Sequence, residues 1–124
     1  DLLAVLRWAR QQWPSGPLYL AGFSFGAFVL ARTLSSIDVE GVAVSHALLV
    51  APPVHHFEFQ ALRAFPCPLT IIMGEEDEVV PPSDVYAWVD TIGTSHSLVR
   101  VPKAGHFFHG LLGQVKAAVE ADIK

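Results

Sequence analysis

Two short runs, ALLVA at residues 47–51 and LTIIM at 69–73, limit what this chain can become. Apart from Thr70 they are apolar at every position, not at every second one. A strand with one wet face alternates, because successive side chains point to opposite sides. A strand that is apolar throughout needs cover on both faces, as in parallel sheets flanked by helices. The expected fold class is therefore α/β.

Punctuation along the chain supports that reading. Leu2, Val5, Leu6, Ala9 and Trp13 recur at helical spacing, and Pro14-Ser15-Gly16 stops the helix. Residues 18–21, between Pro17 and Gly22, read as a strand, and residues 25–35 as a buried helix with Gly41 in the loop beyond. Pro52-Pro53 closes the 47–51 strand. A short helical piece is expected near 59–64, before Pro66-Cys67-Pro68 launches the 69–73 strand. Ser83 is a suitable N-cap for a helix to about residue 92, with Gly93 as its stop. Residues 97–101 make a fourth strand and 111–123 a last helix. After the opening helix, strand and helix thus alternate four times, as in a doubly wound, mainly parallel sheet. In such sheets ligands gather beyond the carboxyl ends of the strands.

Composition sets the bounds. A length of 124 residues suits one domain, yet 52% of residues are hydrophobic and only 16% charged, against about 25% charged in ordinary soluble domains. The chain reads as the buried, C-terminal part of a single larger domain, covering 1–124. A net charge of −4 without a basic stripe argues against a nucleic-acid partner. One cysteine, Cys67, allows neither an internal disulfide nor a Cys-rich metal site. No run of 18 apolar residues suggests a membrane span. With no signal or lipidation motif in view, a cytoplasmic setting is the default expectation.

Three loops at the expected ligand edge carry chemistry. Gly22-Phe23-Ser24-Phe25-Gly26 fits G-x-S-x-G between a strand and a helix. A turn that sharp holds a serine in strained backbone angles, and its glycines avoid Cβ clashes with neighbouring chain. The helix start then offers free N–H groups to a developing oxyanion, Phe25 N–H first. The loop after 69–73 reads GEEDEVVPP, with Asp77 placed to orient a base and Glu75, Glu76 and Glu78 as rivals that fit a solvated acidic loop. Spacing alone does not choose among them. The loop after 97–101 reads PKAGHFFHG, in which Ala104-Gly105 lets His106 reach over the sheet. The order Ser24, Asp77, His106 is that of a nucleophile on a strand-to-helix elbow.

At these segments the chain resembles the α/β-hydrolases, most closely small bacterial members without a large lid domain. These carry similar AGFSFGA, GEEDEVVPP-like and GAGHFFHG-like segments, and the resemblance covers essentially the whole chain. It implies Ser24 as nucleophile, Asp77 as acid and His106 as base of an enzyme that hydrolyses a carboxylic ester, thioester or amide. It implies no cofactor and no metal, with a small-molecule acyl substrate. The family fold normally has about four further strands before the elbow and a loop donating a second oxyanion N–H. The chain is therefore expected to hold only the C-terminal four strands, with residues 18–21 as an apolar edge and Phe25 N–H as the visible donor.

Around the elbow, Phe25 is expected to face the pocket and Phe23 to pack beneath, although Phe23 also counts among candidate pocket residues with His55, His56 and His109. His109 suits a structural place, such as capping the last helix, more than shaping the pocket, and Trp8 and Trp88 suit core or half-buried packing. The histidine and carboxylate spacings match no standard metal motif. A hydrolase-like domain used only for binding or assembly, or an inactive fragment, is the competing reading. A flavodoxin-like nucleotide binder lacks its G-x-G-x-x-G or P-loop lysine.

Overall fold

The computed structural model describes residues 2–35 and 43–123; Gly41 lies outside them. Helix α1 (Leu2–Gln12) leads into β1 (Tyr19–Phe23), α2 (Phe25–Ser35), β2 (His46–Val50), β3 (Leu69–Gly74), α3 (Pro82–Val89), β4 (His96–Val101) and α4 (Leu112–Ile123). The strands form one sheet in the order β1-β2-β3-β4, and every pairing is parallel. This is the doubly wound α/β arrangement expected from the apolar runs.

Helices cover both faces. Alternate residues of β2 and β3, among them Ala47, Leu49, Leu69 and Ile71, pack with Leu30 and Leu34 of α2 and Val85 and Trp88 of α3. The intervening residues Leu48 and Ile72 face the other way, with Val101, towards Val115 and Val119 of α4. Every residue of β3 is buried, which explains why that run lacks polar alternation. β1 lies at one edge of the sheet and extends through Gly22 to Phe23, two residues beyond the apolar run that announces it.

Two expectations fail, each for a physical reason. Strand and helix do not alternate four times, because residues 51–68 between β2 and β3 form turns without a helix. Phe59, Leu62 and Phe65 are buried there, but the backbone bonds within the segment are isolated turns, such as Leu62 N–H to the Phe59 carbonyl at 2.9 Å, and other bonds run outward. The Trp88 indole N–H donates to the carbonyls of Phe59 and Leu62, both at 3.1 Å. Gly93 N–H donates to the Arg63 carbonyl at 2.8 Å. Second, Ser83 is not the N-cap of α3. The cap position is Pro81 with no side-chain cap bond, and the helix starts on a proline, whose missing N–H needs no cap. The apolar stripe of α1 is only partly covered. Only Leu6 is fully buried, while Val5, Trp8 and Trp13 are more than half exposed.

A polar cluster fastens α4 at the amino ends of the strands. Oδ2 of Asp122 accepts hydrogen bonds from the Thr70 hydroxyl and, at 2.7 Å, from the Ser97 hydroxyl. The Thr70 oxygen in turn accepts from His46 Nε2–H at 2.6 Å. The bond from Thr70 is the largest cause holding the Asp122 carboxyl below its ordinary value. Cys67 is buried as expected, and burial pushes its thiol up.

Candidate active site

The turn after β1 is built around Gly22 and Ser24. A Cβ on Gly22 would lie 2.5 Å from the Gly26 carbonyl oxygen, so the strand approaches the first turn of α2 more closely than any side chain permits. Gly26 itself has nothing within 4 Å of its would-be Cβ. Of the two glycines in the motif, only the first is required by space. Ser24 adopts φ 54°, the left-handed region that costs a non-glycine residue about 1–2 kcal/mol. Its backbone joins the two elements: Ser24 N–H donates to the Val50 carbonyl at 2.8 Å, and the Ser24 carbonyl accepts from Ala27 N–H at 2.9 Å.

Two more loops reach the serine. Asp77, beyond the end of β3, is buried. Its Oδ1 accepts from the N–H groups of Val79 and Val80 at 2.8 and 2.6 Å, leaving Oδ2 to accept from His106 Nδ1–H at 2.7 Å. Because Nδ1 donates to a carboxylate, Nε2 of the neutral ring is the acceptor. It accepts from the Ser24 hydroxyl at 3.1 Å. The structure thus brings Ser24, His106 and Asp77 into one hydrogen-bonded line.

The loops carrying Asp77 and His106 are sewn together by backbone. Glu75 N–H donates to the Val101 carbonyl and Glu76 N–H to the Ala104 carbonyl, both at 3.0 Å. Glu78 turns its carboxylate towards His106 N–H at 3.4 Å. The sequence places Glu78 in a solvated acidic loop as a rival of Asp77, and its adjacency to Asp77 is the signal for this supporting place. Lys103 takes φ 63° where the chain leaves β4, a left-handed turn at a position that carried no glycine to announce it.

The remaining candidates divide between two sides of Ser24. Phe23 does not pack beneath the turn. It is 41% exposed and lies 5.1 Å from the His106 ring and 5.8 Å from Phe107, measured between centroids. Successive strand residues face opposite ways, and Phe23 takes the direction that meets the histidine loop. Phe107, which directly follows His106, packs edge-on against it at 5.0 Å, and His109 lies 6.0 Å beyond Phe107. On the opposite side, Phe25, His55, His56 and Val79 line a hollow of about 190 Å³ that includes Ser24. The N–H of Phe25 has no hydrogen-bond acceptor among the described residues. Trp88 is buried as expected.

Among the described residues no three His, Cys, Asp or Glu side chains converge to hold a metal ion. No helix among them is long and apolar enough to cross a membrane.

No protein-family model matches the chain. Solved structures do. The chain superposes on an α/β serine hydrolase homologue from Coxiella burnetii with a TM-score of 0.88 and 36% identity, covering 100% of this chain and 57% of that one. It matches a lidless α/β serine hydrolase from Xanthomonas campestris with a TM-score of 0.83 and 36% identity, covering 98% of this chain and 53% of that one. It is also 30% identical to an uncharacterised protein of Rickettsia prowazekii, over 87% of this chain and 48% of the relative. The chain therefore spans about half the length of the proteins it matches.

Proposed function

The chain carries part of the α/β-hydrolase fold, its C-terminal portion, and from that premise we propose that it works as a serine hydrolase on a carboxylic ester or related acyl compound. The observation that carries this reading is the line from the Ser24 hydroxyl through His106 to Asp77, held at a residue with φ 54°.

In this reading His106 Nε2 takes the Ser24 proton as Oγ attacks the substrate carbonyl carbon. Asp77 keeps the ring in the tautomer that can do so and stabilises the imidazolium that forms. Phe25 N–H, uncommitted at the start of α2, donates to the oxyanion. The tetrahedral species collapses as His106 passes its proton to the leaving oxygen, which leaves the acyl group on Ser24. A water then surrenders a proton to His106, attacks the acyl carbon, and Ser24 departs with the proton returned.

Intact mass after exposure to a fluorophosphonate tests the reading on this chain. One adduct in the wild type, absent from Ser24→Ala and His106→Ala, supports it. No adduct on folded wild-type chain overturns it.

A further inference from the structure

The hollow at Ser24 does not end there. A second, of about 620 Å³, shares Phe25, His56 and Phe57 with it and continues to Phe28, Arg32 and Glu58. Phe25, Phe28 and Arg32 occupy positions i, i+3 and i+7 of α2 and so share one face of that helix. The rings of Phe28 and Phe57 stack at 4.6 Å with 17° between their planes, and Phe25 meets Phe57 at 5.3 Å. The result is a groove with an aromatic wall, starting at the serine and ending in charge.

Which half of a substrate lies in it follows from proton traffic. His106 must hand its proton to the leaving group, so the leaving group sits on the His106 side, by Phe23 and Phe107. His106 lines neither hollow. The groove therefore belongs to the acyl half. At its far end the Arg32 guanidinium makes no ion pair or hydrogen bond among the described residues. Glu58 shares the hollow without pairing to it. A guanidinium is a planar fork matched to a carboxylate.

Resting on the hydrolase reading, we propose that the groove is the acyl site for an extended, flat acyl group bearing a carboxylate, and that Arg32 selects that carboxylate. Arg32 lies seven positions beyond Phe25 on α2, which places its backbone about 10 Å farther along the helix at roughly 1.5 Å per residue, a span suited to an extended acyl group. Glu58 weakens the selection by lowering the local positive potential.

The test compares two esters of one shape, p-nitrophenyl 3-(4-carboxyphenyl)propanoate and its 4-carboxamide counterpart. Each is hydrolysed by water to the acid and p-nitrophenol, and the readout is the ratio of their kcat/KM values. The wild type is expected to favour the carboxylate. In Arg32→Ala the ratio falls about tenfold, the size of one charge-assisted pair, and Glu58→Gln raises it. Arg32→Lys, which keeps the charge and loses the fork, falls between. An unchanged ratio in both Arg32→Ala and Glu58→Gln, with wild-type Ser24 still labelled by a fluorophosphonate, overturns the acyl-site inference and leaves the hydrolase reading standing. Absence of that labelling overturns both.

Discussion

Gly74 and Ala104 lie so close that a Cβ on Gly74 would sit 2.4 Å from the Ala104 carbonyl oxygen. The end of β3 and the loop that carries His106 meet at this point, and the same carbonyl accepts the N–H of Glu76. The separation between Asp77 and His106 depends on that approach. Gly74→Ala is therefore expected to push the histidine loop outward while the sheet persists. Displacement of about 1 Å costs on the order of 100-fold in a positioned reaction. Fluorophosphonate labelling should slow by that order, while far-ultraviolet circular dichroism keeps its wild-type shape.

Gly22 and Gly26 should respond differently to the same substitution. Gly22→Ala forces its Cβ into backbone at 2.5 Å and is expected to unfold the chain or leave it insoluble. Gly26→Ala meets open space inside α2 and exchanges glycine for a better helix former, a gain of up to about 1 kcal/mol. Urea denaturation of the two variants checks the contrast; equal destabilisation by both would contradict it.

Asp77→Asn is a probe of the histidine tautomer. In this variant the N–H groups of Val79 and Val80 hold the carbonyl oxygen of the new amide, which leaves its NH2 facing His106 Nδ1. That ring nitrogen must then accept, Nε2 carries the proton, and Ser24 loses its base. Labelling should fall by about 10⁴-fold, as in the corresponding change in serine proteases, with little change in thermal stability.

Acid should loosen α4. The Asp122 carboxyl is held below its ordinary value of 3.8 in the folded chain, chiefly by Thr70. A depressed carboxyl contributes stability that is present above the unfolded value and is lost as pH falls through the folded one. Stability should therefore drop as pH falls below about 4, and Asp122→Asn should remove part of that slope while lowering stability at neutral pH. Urea midpoints measured from pH 7 to pH 3 decide it.

Much of this architecture could be read from residue order, and the exceptions share a cause. Two buried strands, a serine on a sharp turn and two further loops at one sheet edge were visible because each depends on local pattern. The turns at 51–68 were not. Their carbonyls bond to Trp88 and Gly93 from other parts of the chain, and no local spacing records a distant donor. The direction of Phe23 was hidden because it depends on β1 running two residues beyond its apolar run. The exposure of Trp8 was hidden because periodicity marks a helix face without saying what meets it. The groove beyond Phe25 needed both α2 and the 51–68 turns in place, although Phe25, Phe28 and Arg32 already share helical spacing.

The carboxylate of Asp122 has a meaning for how the sheet assembles. Thr70 of β3 and Ser97 of β4 are direct partners in the ladder, and both donate to the same Asp122 oxygen, with His46 of β2 reaching it through Thr70. A slip of any one of these strands by a single residue would turn its polar side chain to the opposite face. The cluster would then lose a member and leave buried Thr70 or the carboxylate short of a partner. One atom in α4 thus inspects the alignment of three strands. Because α4 follows all of those strands in the chain, misaligned sheets are penalised when it docks, at the end of the sheet farthest from Ser24.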